Sequence, residues 1–346
     1  MNNQTMRAAV LVKNGDAANA FEIRTLERVT RQTHQLLIRV EAFGLNFADV
    51  MARRGLYRDA PPLPAVLGYD FVGEVVEAPE SFVHLLNQRV AGMCRFGAYA
   101  EYLACEPYSV LPVPTQFDAA QACALGTQYC TAWHAAMHAA NLRTGETVLI
   151  HSAAGGVGTA LVQLAKWKKC TIVGTTGSVE KLDLLHQAGV HHVIHNPSGG
   201  YAETLKKLLG ERKIDVSFNA VAGSTFKHDM KLLAPGGRLV LFGAAERAGK
   251  RGGTLATFKL LWDMGLMLPI FLMAQSQAVL GVNMLRIADH RPDLIEDALR
   301  NIALLLADGT LQPQNGGVFS IHELARAHDN LEFRRTSGKL AVTWQA

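Results

Sequence analysis

The sequence predicts a two-domain α/β protein in which a doubly wound parallel sheet occupies the middle of the chain and β-rich segments from both ends form the second domain. Three observations predict it. Short apolar runs alternate with helical patterns from Thr147 to Phe242. The first 112 residues read instead as short strands punctuated by Gly, Asn and Asp. At the join, Val148–Gly158 (Val-Leu-Ile-His-Ser-Ala-Ala-Gly-Gly-Val-Gly) carries a buried-strand run into a glycine-rich turn and then a helix.

Taken in order, Arg7–Val12 and Gln35–Val40 predict antiparallel strands, and Phe47–Arg53 a short helix stopped by Gly55. Pro61, Pro62 and Pro64 enforce an extended connection. Leu67–Glu77, Arg89–Val90 and Gly97–Leu103 are further short strands, and Pro112 and Pro114 mark a linker. The alanine-rich stretch Asp118–Ala140 has helical texture with Asp118 as N-cap. A strand to Ile150 and a helix to Lys169 follow, then a strand over Thr171–Gly174 and a helix over Ser178–Ala188. Val193-Ile194, Ile214–Asn219 and Arg238–Phe242 are strands separated by helices at Tyr201–Leu209 and Phe226–Leu233. Strands and helices alternating at this length imply right-handed crossovers in one parallel sheet. Ala278–Val282 resumes strand character, Leu294–Leu306 is an amphipathic helix and Leu340–Trp344 closes as a strand.

Two segments stand apart. Ala244–Thr254 is glycine-rich and basic, as expected of a surface loop. Leu255–Ala274 is mostly apolar but interrupted by Lys259, Asp263 and Pro269, which leaves it short of the ~20 apolar residues of a spanning helix. Burial, or a bridge between domains, is the expected role, with peripheral membrane contact as the alternative.

Composition narrows the function classes. With 346 residues, 49% hydrophobic and 18% charged, the chain is globular and long enough for two cores. The net charge of +4 is small and its Lys and Arg are scattered, so no nucleic-acid surface is indicated, although a mildly basic cleft suits a phosphorylated cofactor. The five cysteines contain no C-x-x-C pair, which argues against a disulfide framework or a zinc knot. Met1–Ala9 lacks a secretory apolar core, so the cytoplasm is the expected compartment.

The chemistry is carried by the turn. Ala153, Gly155 and Gly158 occupy the three glycine positions of G-x-G-x-x-G, with Gly156 and Val157 between the last two. That pattern lets backbone approach a pyrophosphate at a helix N-terminus; the competing reading is a tight structural turn. An NAD site places Asp or Glu about 20 residues on, to bond the ribose 2′-hydroxyl. Here the end of the second strand reads Thr175-Thr176-Gly177-Ser178, without an acid. Ser178 can donate to a 2′-phosphate and Lys181 can neutralise it, with Glu180 turned outward, so NADPH is the expected cofactor. Otherwise Ser178 is a helix cap and Lys181 a solvated charge.

These residues acquire a family context. The chain resembles the zinc-independent medium-chain dehydrogenase/reductases, quinone oxidoreductase branch, over nearly its whole length. The resemblance runs through Gly44-Leu-Asn-Phe-Ala-Asp, Arg54-Gly-Leu-Tyr, Gly97-Ala-Tyr-Ala-Glu-Tyr, Thr131-Ala-Trp-His, His151-Ser-Ala-Ala-Gly-Gly-Val-Gly and Pro235-Gly-Gly-Arg. Asn-Phe-Ala-Asp-Val-Met-Ala-Arg and Val279-Leu-Gly-Val-Asn are similar to the vesicle amine transport protein 1-like subgroup in particular. The resemblance implies a GroES-like substrate domain at 1–125 and 276–346, a Rossmann nucleotide-binding domain at 126–275, and a homodimer joined through the edge strands of the nucleotide sheets.

It also implies that no metal is used. Zinc members have a cysteine where this chain has Asn46 and Gly-His-Glu where it has Gly68-Tyr69-Asp70, and Asn and Tyr are poor zinc ligands. His134 and His138, four apart on a helix, lack a third ligand nearby. Without zinc, hydride transfer to a quinone or an activated alkene fits, since a hydrogen-bond donor can stabilise the developing oxyanion. By resemblance, substrate lies between the domains, lined by Asn46 and Tyr57 as candidate catalytic residues, Tyr57 being the better proton donor. Thr131, Thr176, Asn219, Phe242, Gly243 and Asn283 are implied cofactor-lining positions, with Tyr129 and Lys339 as further candidates. An enoyl-thioester reductase, and a membrane-associated nucleotide-binding protein without turnover, are the alternative functions.

Overall fold

A computed structural model describes residues 4–197, 200–211, 213–245 and 253–344. Much of the expected loop Ala244–Thr254 therefore lies outside the described residues. The strands are β1 (Thr5–Leu11), β2 (Phe21–Glu27), β3 (Leu36–Leu45), β4 (Ala65–Val66), β5 (Asp70–Glu77), β6 (Arg89–Met93), β7 (Tyr102–Cys105) and β8 (Val110–Pro112). They continue as β9 (Thr147–Ile150), β10 (Thr171–Thr176), β11 (His192–His195), β12 (Ile214–Asn219), β13 (Leu233–Leu241), β14 (Ala278–Gly281), β15 (Asn315–Ser320) and β16 (Lys339–Thr343). The chain divides into two compact units: residues 1–130, 284–307 and 313–346 form one, and 131–283 with 308–312 the other.

The first unit is β-rich. A seven-stranded sheet has the order β15-β16-β3-β5-β6-β8 with β7 pairing β3, and a three-stranded sheet has the order β2-β1-β4. Alternation along β3 sends Leu36, Ile38 and Val40, and past a register shift between Val40 and Ala42 also Phe43, into a core shared with Phe71, Tyr99 and Leu340. Charge is buried here as well: Glu332 accepts from Arg53 and from Arg54, and Tyr99 Oη lies 3.2 Å from His328 Nε2.

The second unit holds six parallel strands in the order β11-β10-β9-β12-β13-β14. That order steps outward in both directions from β9, so the carboxyl end of β9 borders the point where the winding reverses, the ligand position of such sheets. The helix Gly156–Trp167 packs on β9 and β10, and the core gathers Leu149, Val173, Tyr201, Phe218 and Leu239.

Three expectations change. β14, placed with the first domain by a boundary at 275/276, is the sixth strand of the parallel sheet, pairing Leu239 with Val279 and Leu241 with Gly281. A strand's own residues do not name its neighbour. The helix expected over Asp118–Ala140 is broken into Ala119–Ala124, a wide turn at Leu125–Tyr129, Cys130–Trp133 and a second wide turn at His134–Ala139. A Cβ at position 126 would lie 2.3 Å from the Gly92 carbonyl oxygen, so the first wide turn coincides with close backbone packing. Finally, Leu255–Ala274 is largely not buried: it forms helices Gly253–Met264 and Pro269–Gln275, with Leu261, Trp262, Leu266, Ile270, Phe271 and Met273 exposed. Only part of the segment, including Met264 and Met267, packs on the core. No helix among the described residues is long and apolar enough to cross a membrane.

Candidate functional site

In the parallel-sheet unit the fingerprint turn begins at the end of β9. His151 N donates to Phe218 O, and the chain reverses through Ser152 at φ +53°. Gly155 caps the helix Gly156–Trp167, so its first N–H groups open toward the carboxyl edge of the sheet. Ala153 is buried and its N donates to Thr175 O on β10. A Cβ on Gly158 would stand 2.3 Å from Ser152 O and 2.8 Å from Ala153 backbone, which explains the glycine at that position. Gly155, Gly156 and Val157 are partly exposed, leaving a backbone cradle that a pyrophosphate fits.

The other sequence-derived positions in this unit gather at the same sheet edge. Thr176 ends β10 and Asn219 ends β12; Phe242 and Gly243 follow β13, and Asn283 follows β14. Asn219 has no free amide to offer. Its Oδ1 accepts from Val221 N and Ala222 N, and its Nδ2 donates to Thr225 Oγ1 at 2.8 Å and Asp229 Oδ2 at 2.6 Å. It shapes the turn after β12, and Phe242 N adds a bond to its carbonyl. Thr131 is buried at the beginning of this unit, in the helix Cys130–Trp133.

The end of β10 differs from expectation in one respect. Ser178 Oγ donates to the carboxylate of exposed Glu180, so Glu180 does not turn away from it. That bond holds the Glu180 carboxyl below its usual range. Lys181 is half-buried beside them.

Sequence reasoning missed the group that ties these loops together. His151 Nε2 lies 3.0 and 3.1 Å from the two oxygens of Asp229, which also accepts from Tyr201 Oη, Ser217 Oγ and Asn219 Nδ2. His151 Nδ1 is 3.4 Å from Thr175 Oγ1. Burial raises the Asp229 pKa, but the His151 charge and these hydrogen bonds outweigh it and hold the carboxyl below the usual range. Nothing local in the sequence marks Asp229, one of several polar residues on the helix Ser224–Leu232.

In the β-rich unit, Asn46 caps the helix Phe47–Arg53 and is buried. Its Nδ2 donates to Asp70 Oδ2 at 2.9 Å, and its Oδ1 accepts from Lys339 Nζ at 2.9 Å. Lys339 Nζ also donates to Asp70 Oδ2 at 2.6 Å, with both side chains fully buried. Gly44 leaves the space for this pair: a Cβ there would meet Asp70 Oδ1 at 2.1 Å and Lys339 Cε at 2.3 Å. Asp49 Oδ2 accepts from Asn46 N, yet burial pushes its pKa to about 8, and nearby Asp70 pushes the same way. Tyr57 is half-buried, edge-on to Tyr69 with ring centroids 6.3 Å apart. Burial and then Asp59 push its phenol up, so it keeps its proton at neutral pH.

Two domain families match. "Alcohol dehydrogenase GroES-like domain" covers residues 32–115 and "Zinc-binding dehydrogenase" covers 156–297. Human quinone oxidoreductase is 31% identical over 301 residues, covering 86% of this chain and 85% of the relative. The chain belongs to the quinone oxidoreductase branch of the medium-chain dehydrogenase/reductases. This reductase is also 30% identical to the human synaptic vesicle membrane protein VAT-1 homolog, covering 89% of this chain and 78% of that one. The solved structure of mycobacterial Rv1454c complexed with NADPH superposes with a TM-score of 0.84 at 25% identity, covering 98% of the reductase and 99% of that chain. The Lys339 ammonium already holds both Asn46 and Asp70, and no group of three His, Cys, Asp or Glu suited to a metal occurs among the described residues. His134 and His138 face each other with Nδ1 atoms 3.2 Å apart.

Proposed function

We propose that the reductase transfers a hydride from NADPH to a quinone or an α,β-unsaturated carbonyl, without zinc, as a cytoplasmic homodimer. The observation that carries the NADPH reading is the cradle formed by Gly155, Gly156 and Gly158 next to a β10 end that lacks an acid at Thr176-Gly177-Ser178. The NADPH complex of the mycobacterial relative supports the same cofactor. Five free cysteines suit a reducing compartment.

NADPH, when bound, supplies the hydride. Ala153–Gly158 would hold the pyrophosphate at the N-terminus of Gly156–Trp167, and Lys181 would face the 2′-phosphate. Asn219, fixed by Asp229, sets the turn after β12, with Phe242, Gly243 and Asn283 bordering the same edge, while Thr131 retains its assignment near the nicotinamide. Tyr57 Oη holds the proton the reduced acceptor needs. Asn46 orients Asp70 and Lys339 and is the weaker donor, because both ends of its amide are already engaged.

The test is NADPH consumption across quinones, enones and crotonyl-CoA, repeated with NADH and accompanied by metal analysis. Turnover of quinones or enones with NADPH preferred supports the reading. Activity confined to crotonyl-CoA transfers the enzyme to thioester reduction, equal rates with NADH undo the cofactor assignment, and stoichiometric zinc sinks the metal-free mechanism. NADPH binding with no acceptor reduced would favour a nucleotide-binding role alone.

A further inference from the structure

Tyr57 sits on a loop, and two side chains that fix this loop and its neighbour come from far along the chain. After the helix Phe47–Arg53 the backbone passes Tyr57 and Asp59 before reaching β4 at Ala65. Within this loop Ala60 N donates to Tyr57 O at 3.2 Å, a long bond. A second loop, Cys94–Gly97, follows β6 and sets Phe96 against Tyr69 with ring centroids 5.0 Å apart, while Tyr69 in turn meets Tyr57 edge-on. The two loops therefore share one aromatic row.

One helix grips both. Met284–His290 belongs to the same β-rich unit and carries Arg286 and Asp289 three positions apart, hence on one face. Arg286 Nη2 donates to Asp59 Oδ1 at 2.8 Å, and Arg95 Nη1 donates to Asp289 Oδ2. The signs are crossed: the first loop offers a carboxylate to a guanidinium on the helix, and the second offers a guanidinium to a carboxylate on the helix. Exchanging the partners would set Asp59 against Asp289 and Arg95 against Arg286, so the pattern specifies which loop docks where.

Stability alone does not account for these pairs. The Arg286 side chain is 55% exposed and that of Arg95 50%, and pairs so wet add little to the folded state. Their charges do reach Tyr57. Burial is the main cause that keeps the proton on its phenol; Asp59 adds to that effect and Arg95 opposes it. A proton donor works only within hydrogen-bond reach of the atom it serves, and a small displacement of the loop that carries it slows the step.

We propose that Arg286 and Asp289 are positioning residues for the reduction: through Asp59 and Arg95 they hold the Tyr57 and Phe96 loops in the arrangement from which Tyr57 Oη delivers its proton. The inference rests on the reading of Tyr57 as proton donor. Once the acceptor has taken the hydride and carries negative charge, the Tyr57 O–H bond breaks as the new bond to hydrogen forms on the acceptor, and water reprotonates the phenolate.

The test combines hydrogen–deuterium exchange with steady-state kinetics on the full chain, using a neutral quinone so that long-range steering of a charged acceptor plays no part. The variants are Arg286→Ala, Arg286→Lys, Asp289→Ala and Tyr57→Phe. Arg286→Ala should speed exchange over residues 56–60 and Asp289→Ala over residues 94–97. Each should lower kcat ~10-fold or more while NADPH affinity stays at the wild-type value. The solvent isotope effect on kcat should rise, because proton delivery has become slower. Arg286→Lys retains the charge and a donor for this single N–H contact, so it should recover most of kcat. Unchanged exchange in both loops overturns the clamp, and loosened loops with wild-type kcat and isotope effect overturn the positioning role. An Arg286→Lys variant no better than Arg286→Ala assigns the effect to packing and overturns that role too. Tyr57→Phe at wild-type kcat, or a wild type that reduces no quinone, overturns the reading on which the inference rests; a slowed Tyr57→Phe beside an unaffected Arg286→Ala overturns the inference alone.

Discussion

His151 and Asp229 are 78 positions apart, yet the imidazole Nε2 lies within 3.1 Å of both carboxylate oxygens in the interior of the parallel-sheet unit. This contact links the first residue of the fingerprint turn to the helix behind β12, and through Asn219 to the turn after β12. Asp229→Ala should cost ~3–5 kcal/mol of stability, because it strands four donors around an empty buried site. Urea denaturation of this unit measures it. NADPH dissociation, read by nucleotide fluorescence under conditions where the variant is folded, should weaken as well. Wild-type stability and affinity in the variant would show that the network is idle.

The Lys339–Asp70 contact makes a different prediction, since its cost lies in the partner left behind. Lys339→Met alone should destabilise by ~3–5 kcal/mol, whereas Lys339→Met/Asp70→Leu should recover much of that loss. Chemical denaturation of the single and double variants checks this. Non-recovery would mean that Lys339 is needed for its contact with Asn46 rather than to neutralise Asp70.

Cofactor selectivity should respond at the end of β10. Glu180→Gln frees the Ser178 hydroxyl from a carboxylate and removes a negative charge, so the NADPH-over-NADH preference in kcat/KM should rise by ~3–10-fold. Lys181→Ala should lower it by a similar factor. Steady-state kinetics with both cofactors reads the change; equal effects on NADPH and NADH would remove these side chains from 2′-phosphate recognition.

Gly158→Ala inserts a Cβ 2.3 Å from a backbone oxygen that no rotamer change can move. The turn must shift, and NADPH affinity should fall ~10-fold or more, the loss of about one charge-assisted hydrogen bond. Isothermal titration of NADPH into wild type and variant decides the point.

Stability should fall at both pH extremes for separable reasons. Burial pushes His328 down to about 3 from 6.5, and the Arg53 charge adds to the effect. Between those values the unfolded chain binds more protons, so this contribution is full above about 6.5 and is lost as pH falls toward 3. Asp49 works the other way: raised from 3.8 to about 8, it binds more protons when folded, and its contribution is full below 3.8 and lost as pH rises through about 8. His328→Gln should flatten the acid limb and Asp49→Asn the alkaline one, a tenfold difference in proton affinity between the folded and unfolded chain corresponding to about 1.4 kcal/mol. Melting temperature against pH tests both, and unchanged limbs would assign the pH dependence to other groups.

How much was legible depends on the range of the interactions. Gly155 and Gly158 announced the turn because chain reversal and close backbone approach are local demands that leave a local signature. Alternating strands and helices announced the sheet for the same reason. The family resemblance supplied Thr176, Asn219 and Phe242 as candidate positions, and each ends or follows a strand of the parallel sheet. Asp229 was not among them, because a single polar residue on a helix is indistinguishable from a surface residue until the sheet beneath it is built. The apolar run at 255–274 was misjudged because hydropathy reports that a surface prefers to be covered and is silent on whether its own chain covers it.

The sequence by itself determined the architecture, the family and the nucleotide turn, since each is written in residue types at short spacing. Tertiary structure decided which polar groups share a buried site: Lys339 with Asp70 and Asn46, and His151 with Asp229. It likewise decided that β14 ends the parallel sheet beside an exposed apolar arm. Those outcomes depend on which distant segments meet, and the free energy of a buried charge or a free strand edge is fixed by the neighbours that folding brings to it.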